Sequence, residues 1–213
     1  MNRNDNKSDC ICDNTLTVYG SGSVEATPNI ATATVGAETT SDSISEAQQK
    51  NAEIISQIVS SLIEIGIQSR NIQTLDYRIE EEYRFEDGTK IFVGYKVTHL
   101  LNIRIEQVQE TGLVLDTAVT AGATTISNIQ FQISDPQAYY LKAQRMAIEQ
   151  ANLKASNCAG AFQISLPDVP HQIIEEQSLT PSPRAFAEYS ATVIQPGQLR
   201  ISAQITLVYL LNQ

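Results

Sequence analysis

The sequence predicts an α+β fold, antiparallel sheets with three helices packed on them in the order ββα-ββα-βα-ββ. Three observations carry this. Residues 75–106 alternate apolar and polar side chains on both sides of Asp87-Gly88, a hairpin turn signal. Three other segments carry apolar residues at helical spacing. The remaining alternating stretches fall between those helices at distances that favour antiparallel pairing over a wound parallel sheet. A faint internal echo, helix then glycine then strand, occurs at 43–79 and again at 136–174 and points to two related lobes.

Leu16 to Gly20 reads as the first strand, followed by a flexible Gly20-Ser21-Gly22-Ser23 stretch of the kind that marks a bend. Thr27-Pro28-Asn29 is a turn signal, and Ile30 to Thr39 a second strand. Ser43 and Glu46 have capping-box spacing, which predicts a helix start. The stripe that follows, Ile44 to Ile65, is broken only by Asn51 and stops at Gly66. In the long hairpin, Leu75, Tyr77, Ile79, Tyr83 and Phe85 share one face with the odd positions from Ile91 to Ile105. Phe92, Lys96, Thr98, Asn102, Arg104 and Glu106 lie on the other. A second helix begins near Val108 and ends near Ala121-Gly122, and Ile126 to Ile133 is a strand. Asp135-Pro136 opens an alanine-rich third helix that ends at Gly160. Val169 to Glu176 and Leu199 to Leu211 complete the strands, separated by a loop at 177–197 containing Pro181, Pro183 and Pro196.

The chain has 213 residues and 23.4 kDa, with a formal charge of −10 and a pI near 4.6. Its Lys and Arg are scattered singly, which argues against a nucleic-acid partner, since phosphate binding needs a basic cluster. No run of about 18 apolar residues is present to span a membrane. Residues 1–14 form a polar tail expected to be disordered. They contain no apolar core of a secretory leader, which predicts a cytoplasmic protein. Cys10, Cys12 and Cys158 do not make a disulfide framework. With His99 and His171 as the only histidines, the chain holds too few well-spaced ligands for a zinc site. His99 lies between Val97 and Leu101 on an apolar face and reads as a packed or interface histidine. No nucleophile elbow or Walker-type glycine loop occurs. The acidic run Glu80-Glu81-Glu82 points to alternating faces and is flanked by Arg78 and Arg84, so it reads as a salt-bridged surface. No catalytic residue, metal set or cofactor is predicted, and the expectation is a protein that is not an enzyme.

Several segments, in order, resemble the SIMPL domain family. They begin with Val18-Tyr19-Gly20-Ser21-Gly22-Ser23-Val24 and Thr27-Pro28-Asn29-Ile30-Ala31, where Asn29 stands in place of the family's common Asp. Gly66-Ile67, Asn71-Ile72-Gln73-Thr74, Val93-Gly94-Tyr95-Lys96, Ala121-Gly122-Ala123, Ile129-Gln130-Phe131 and Pro196-Gly197-Gln198-Leu199 follow. The resemblance covers about residues 15–211 and implies one SIMPL-like domain over 15–213. The family includes periplasmic immunogenic proteins and a kinase-associated signalling protein. The resemblance therefore implies an interaction or assembly role, stress-related in this reading, and no accepted active site.

Together these readings predict an oligomeric scaffold or interaction module, a homo-oligomer with a further protein partner. The alternative is a small-molecule or peptide binder using a cleft between lobes. The interface is expected on the apolar face of the long hairpin near its turn, at Glu81, Tyr83, Phe85, Ile91, Val93 and Tyr95. Glu81 interrupts that face, either as a charge protecting an edge or as a contact in the assembly.

Overall fold

The computed structural model describes residues 14–86, 88–176, 182–183 and 197–211. The polar tail with Cys10 and Cys12, and most of the proline-rich loop, lie outside the described residues. The elements are β1 (Thr15–Ala26), β2 (Ile30–Ser41), α1 (Ile44–Glu64), β3 (Ile72–Glu86), β4 (Thr89–Ile105), α2 (Thr111–Thr120), β5 (Thr125–Gln132), α3 (Pro136–Phe162), β6 (Gln172–Glu176), the two-residue β7 (Ser182–Pro183) and β8 (Leu199–Leu210). The α+β class and its three helices are as expected. The chain divides into two compact units, one holding β1, α3, β6, β7 and most of β8, the other Thr27–Ser134.

In the first unit the sheet runs β1-β8-β6, with β7 also paired to β8. β1 and β8 are antiparallel. Leu211 N–H donates to Asn14 O at 2.8 Å, and the Arg200 guanidinium lies 3.7 Å from the Glu25 carboxylate at the far end. The glycine stretch does not bend the chain, since β1 continues to Ala26. Its glycines answer to the helix instead. α3 buries an alanine ridge, Ala143, Ala147, Ala151, Ala155 and Ala159. A Cβ on Gly22 would come within 2.7 Å of Met146 Cβ and run into Ala143 O. One on Gly20 would come within 2.8 Å of Ala151 Cβ and run into Ala147 O. Glycine facing alanine lets a helix backbone settle closely on the strand. α3 also wraps the outer edge of β1. Lys154 Nζ donates to Tyr19 O at 2.7 Å, and Ser21 N–H donates to Gln150 Oε1 at 2.8 Å. These backbone groups point outward, because outward and inward positions alternate along β1 and Asn14 is bonded to β8. Buried Tyr140 donates to Glu175 Oε1 at 2.6 Å, tying α3 to β6. α3 runs past Gly160 to Phe162. The left-handed residue is Gln163 (φ 54°), and Ile164 N–H closes on Ala159 O at 2.9 Å.

The second unit is a sheet of order β3-β4-β2-β5 with α1 and α2 on one face. Its core joins Ala31, Ala33, Val35 and Ala37 of β2 and Leu101, Ile103 and Ile105 of β4 to Ile55, Ile58 and Leu62 of α1 and Val114, Leu115 and Ala118 of α2. Each fully buried Ile or Leu here is worth roughly 1.5–3 kcal/mol. The expected capping box does not form. Ser43 is the N-cap without a side-chain bond, while Glu46 accepts from Ser41 Oγ at 2.7 Å and pairs with Lys50 at 2.7 Å. A lysine one turn on competes for that carboxylate, and its hydrogen bond and that of Ser41 lower the Glu46 pKa. Asn51, the break in the stripe, is buried and donates through Nδ2 to Ala37 O (3.0 Å) and Val97 O (3.3 Å), pinning α1 to two strands at once. α1 ends as expected with Gly66 at φ 102° and Ile67 N–H bonded to Leu62 O. α2 is shorter than expected, because Val108–Glu110 forms a 3-10 turn closed by Thr111 Oγ1 donating to Val108 O. At the start of β2, Asn29 Nδ2 donates to Ser134 Oγ (2.7 Å) and Ser134 N–H donates back to Asn29 Oδ1 (2.8 Å).

Two substitutions test the glycine contact. Gly22→Val should lower the unfolding free energy by on the order of 1–3 kcal/mol, as overpacking does. Gly160→Ala has open space around it and should raise it by about 0.5–1 kcal/mol. Urea titration followed by circular dichroism reads both.

Candidate functional site

The feature of the second unit that stands clear of its core is the far end of the β3–β4 hairpin. β2 pairs with β4 only as far as Ser41 opposite Tyr95. Beyond that point the pairs Glu82–Gly94, Tyr83–Phe92, Arg84–Ile91, Phe85–Lys90 and Glu86–Thr89 continue alone. The hairpin thus leaves the sheet as a two-stranded ribbon roughly 17 Å long, at about 3.4 Å per residue. Gly94 sits where it departs, at φ 151°. A Cβ there would come within 2.7 Å of Ser41 O, so the position requires glycine.

The register jumps beside Gly94. Glu82 faces Gly94 but Tyr83 faces Phe92, so Val93 is the extra residue of a β-bulge. This corrects the expected faces. The bulge reverses the alternation of β4, bringing Phe92 onto the face of Glu81, Tyr83, Phe85 and Tyr95 and carrying Ile91 to the opposite face, across from Arg84. The rings form a ladder. Tyr83 and Phe92 meet edge to face at 5.6 Å, and Phe92 and Tyr95 at 5.3 Å. Lys90 Nζ lies 3.6 Å from the Tyr83 ring centroid. The Tyr83 hydroxyl donates to Glu81 Oε2 at 2.5 Å, a bond that raises the phenol pKa. Of the six expected interface residues, Glu81, Tyr83, Phe85 and Tyr95 share this face, Val93 occupies the bulge, and Ile91 lies behind. Phe85 is far more open than Tyr83, Ile91 or Val93, at 71% exposure. Phe92 and Lys90 were missed. The signal that could have found them is Gly94 itself, since a glycine inside an alternating strand marks a bulge and a change of phase.

The opposite face is polar. Arg78 lies 3.3 Å from Glu80 and 3.6 Å from Asp76, Arg84 lies 2.9 Å from Glu86, and Glu82 Oε2 accepts from Thr40 Oγ1 at 2.9 Å. These exposed pairs are worth little individually, but they fix a pattern of charge along β3. His99 lies on the helix side of the same hairpin and is half-buried, less enclosed than its apolar neighbours imply. Its Nε2 is 3.2 Å from Thr74 Oγ1, and its ring meets Tyr77 edge-on at 5.1 Å, with the Tyr77 hydroxyl accepting from Gln48 Nε2. Among the described residues no three His, Cys, Asp or Glu side chains converge as metal ligands. No described helix is long and apolar enough to cross a membrane.

The sequence profile of SIMPL, a protein family of unknown function (DUF541), matches residues 16–209. The uncharacterized protein YggE of Escherichia coli K12 is 27% identical over 168 residues, covering 79% of this chain and 68% of that protein. The 26 kDa periplasmic immunogenic protein of Brucella melitensis is 26% identical over 177 residues, covering 81% of this chain and 70% of that protein. The second relative overturns the cytoplasmic expectation, because it is periplasmic by name. The expectation rested on the polar residues 1–14, and the character of a folded domain does not itself carry an export address.

His99 offers a pH test. Burial lowers its pKa below the usual 6.5, so the folded state resists protonation. The stability it supports is complete above about pH 6.5 and falls as pH drops from there towards the lowered folded value. Urea midpoints taken across that range should fall more steeply for the wild type than for His99→Gln. Parallel curves would refute this.

Proposed function

We propose that this chain, which belongs to the SIMPL family, is a non-enzymatic assembly module whose β3–β4 ribbon is its docking element and a second copy of the chain its first partner. One observation carries the reading. An aromatic ladder that could lie under a helix is instead extended past the end of β2 on a two-stranded ribbon, where α1 does not follow. An isolated two-stranded ribbon is only marginally stable in water. Tyr83, Phe85 and Phe92 on its surface gain most by being covered. The charges alongside them, Glu81 and Lys90, give the face both signs, as a surface that meets its own copy requires. The name of the Brucella relative, a periplasmic immunogenic protein, supports a working place outside the cytoplasm.

Self-association is the direct test. Light scattering and sedimentation velocity at high micromolar concentration should show a defined oligomer. Tyr83→Asp and Phe85→Asp should each shift it to monomer, with an unchanged circular dichroism spectrum. A strictly monomeric wild type refutes the reading and favours a ligand-binding role, which a ligand-dependent thermal shift would then detect.

A further inference from the structure

The free edge of β3 adds a second element to the proposed assembly. β3 has one strand neighbour, β4, and among the described residues no side chain caps its outward backbone groups. β1, the edge strand of the other unit, is treated differently, with Tyr19 O and Ser21 N–H already occupied by Lys154 and Gln150. One edge is closed to a further strand and the other is open. An open edge this long is a template for strand addition unless its charges forbid it.

The charges along β3 narrow the registers open to a second copy, and the residues of the aromatic face choose among those that remain. Antiparallel pairing of two β3 strands must bring outward positions to outward positions, so the two-fold axis passes through a residue. An axis at Glu81 sets Arg78 against Arg84, Asp76 against Glu86 and Glu80 against Glu82, all like charges. At Tyr83 it opposes Glu80 with Glu86, so that the favourable Glu82–Arg84 pair is cancelled by a like-charge one. At Glu80 the charges also match, Arg78 against Glu82 and Asp76 against Arg84, but this axis sets Ile79 against Glu81 and draws the Leu75 bulge into the pairing. An axis at Glu82 sets Arg78 against Glu86 and Glu80 against Arg84. On the aromatic face it sets Ile79 against Phe85 and Glu81 against Tyr83, the same carboxylate–phenol pair already made within the chain. Only Glu82 then meets its own kind, and Thr40 Oγ1 draws its Oε2 towards β2. Opposite charges across strands stabilise and like charges do the reverse.

We infer that β3 pairs antiparallel with β3 of a second copy on a two-fold axis at Glu82, joining two four-stranded sheets edge to edge. This rests on the self-association proposed above. It differs by naming the backbone edge and the register rather than the aromatic face alone.

Cysteine cross-linking tests it. In full-length protein with Cys10, Cys12 and Cys158 replaced by serine, Glu82→Cys should oxidise to a covalent dimer. Directly opposed Cα atoms in an antiparallel pair lie about 4.5–5.5 Å apart, within disulfide reach. Glu80→Cys mixed with Arg84→Cys should give a mixed dimer, while Arg78→Cys alone should stay reduced. Glu82→Gln should tighten the dimer about two- to fivefold by removing the like-charge contact. If Glu82→Cys stays reduced while light scattering still shows an oligomer, the register falls and self-association stands. If the protein is monomeric, both fall. Equal cross-linking at all four positions also overturns the inference, because it would reflect collision rather than register.

Discussion

Register in β4 is the constraint on which the second unit depends. Its inner half, Tyr95 to Ile105, is held between β2 and β3, and Val97, Leu101, Ile103 and Ile105 are buried. A slip by one residue would exchange these for Thr98, Asn102 and Arg104, so the packed half admits no alternative pairing. Asn51 reinforces it from above by bonding to carbonyls on both β2 and β4. The outer half has no such restraint. It can take an extra residue at Val93 and turn a different set of side chains to the helix side. The ribbon is therefore built with a rigid root and a face set by one bulge.

The fold class, the three helices, the long hairpin and the Gly66 stop were legible because periodicity and turn chemistry are local signals. What escaped the sequence depends on what lies across space. Gly20 and Gly22 read as a bend when seen alone. Only the alanine ridge of α3, more than a hundred positions away, makes them a packing surface. Ser43 and Glu46 have the spacing of a capping box, but Lys50 and Ser41 take the carboxylate first. Gly160 ends nothing because α3 finds a left-handed exit at Gln163. The ribbon face was half legible. Tyr83 and Phe85 follow from alternation along β3, whereas Phe92 needs the bulge at Gly94, and a strict period of two hides it.

The two sheets handle exposed edges in opposite ways. β1 is stoppered by long polar side chains from its own helix. β3 is left open but carries a sequence of charges that rejects most registers. Such a charge pattern acts as a filter rather than a block, since it raises the cost of some pairings while leaving the arrangements centred on Glu80 and Glu82 free of most conflict. The aromatic face separates these two, since it sets Ile79 against Phe85 in the proposed pairing and against Glu81 in the other.

The reciprocal bonds between Asn29 and Ser134 bear on the order in which the chain can fold. These residues lie just inside the first two of the places where the chain passes between the units, after Ala26 and before Asp135. Once Thr27–Ser134 has folded, its two ends are clasped together by Asn29 and Ser134. β1 and α3 then no longer search for one another across the whole intervening chain. The folded insert acts as a short, closed link. Loop-closure entropy that a free chain of that length would lose has already been lost within the insert. The tight glycine–alanine contact of the first unit, a pairing of very high sequence separation, becomes in effect a local one. Its formation should lag behind the insert and then proceed at a rate set by a short link.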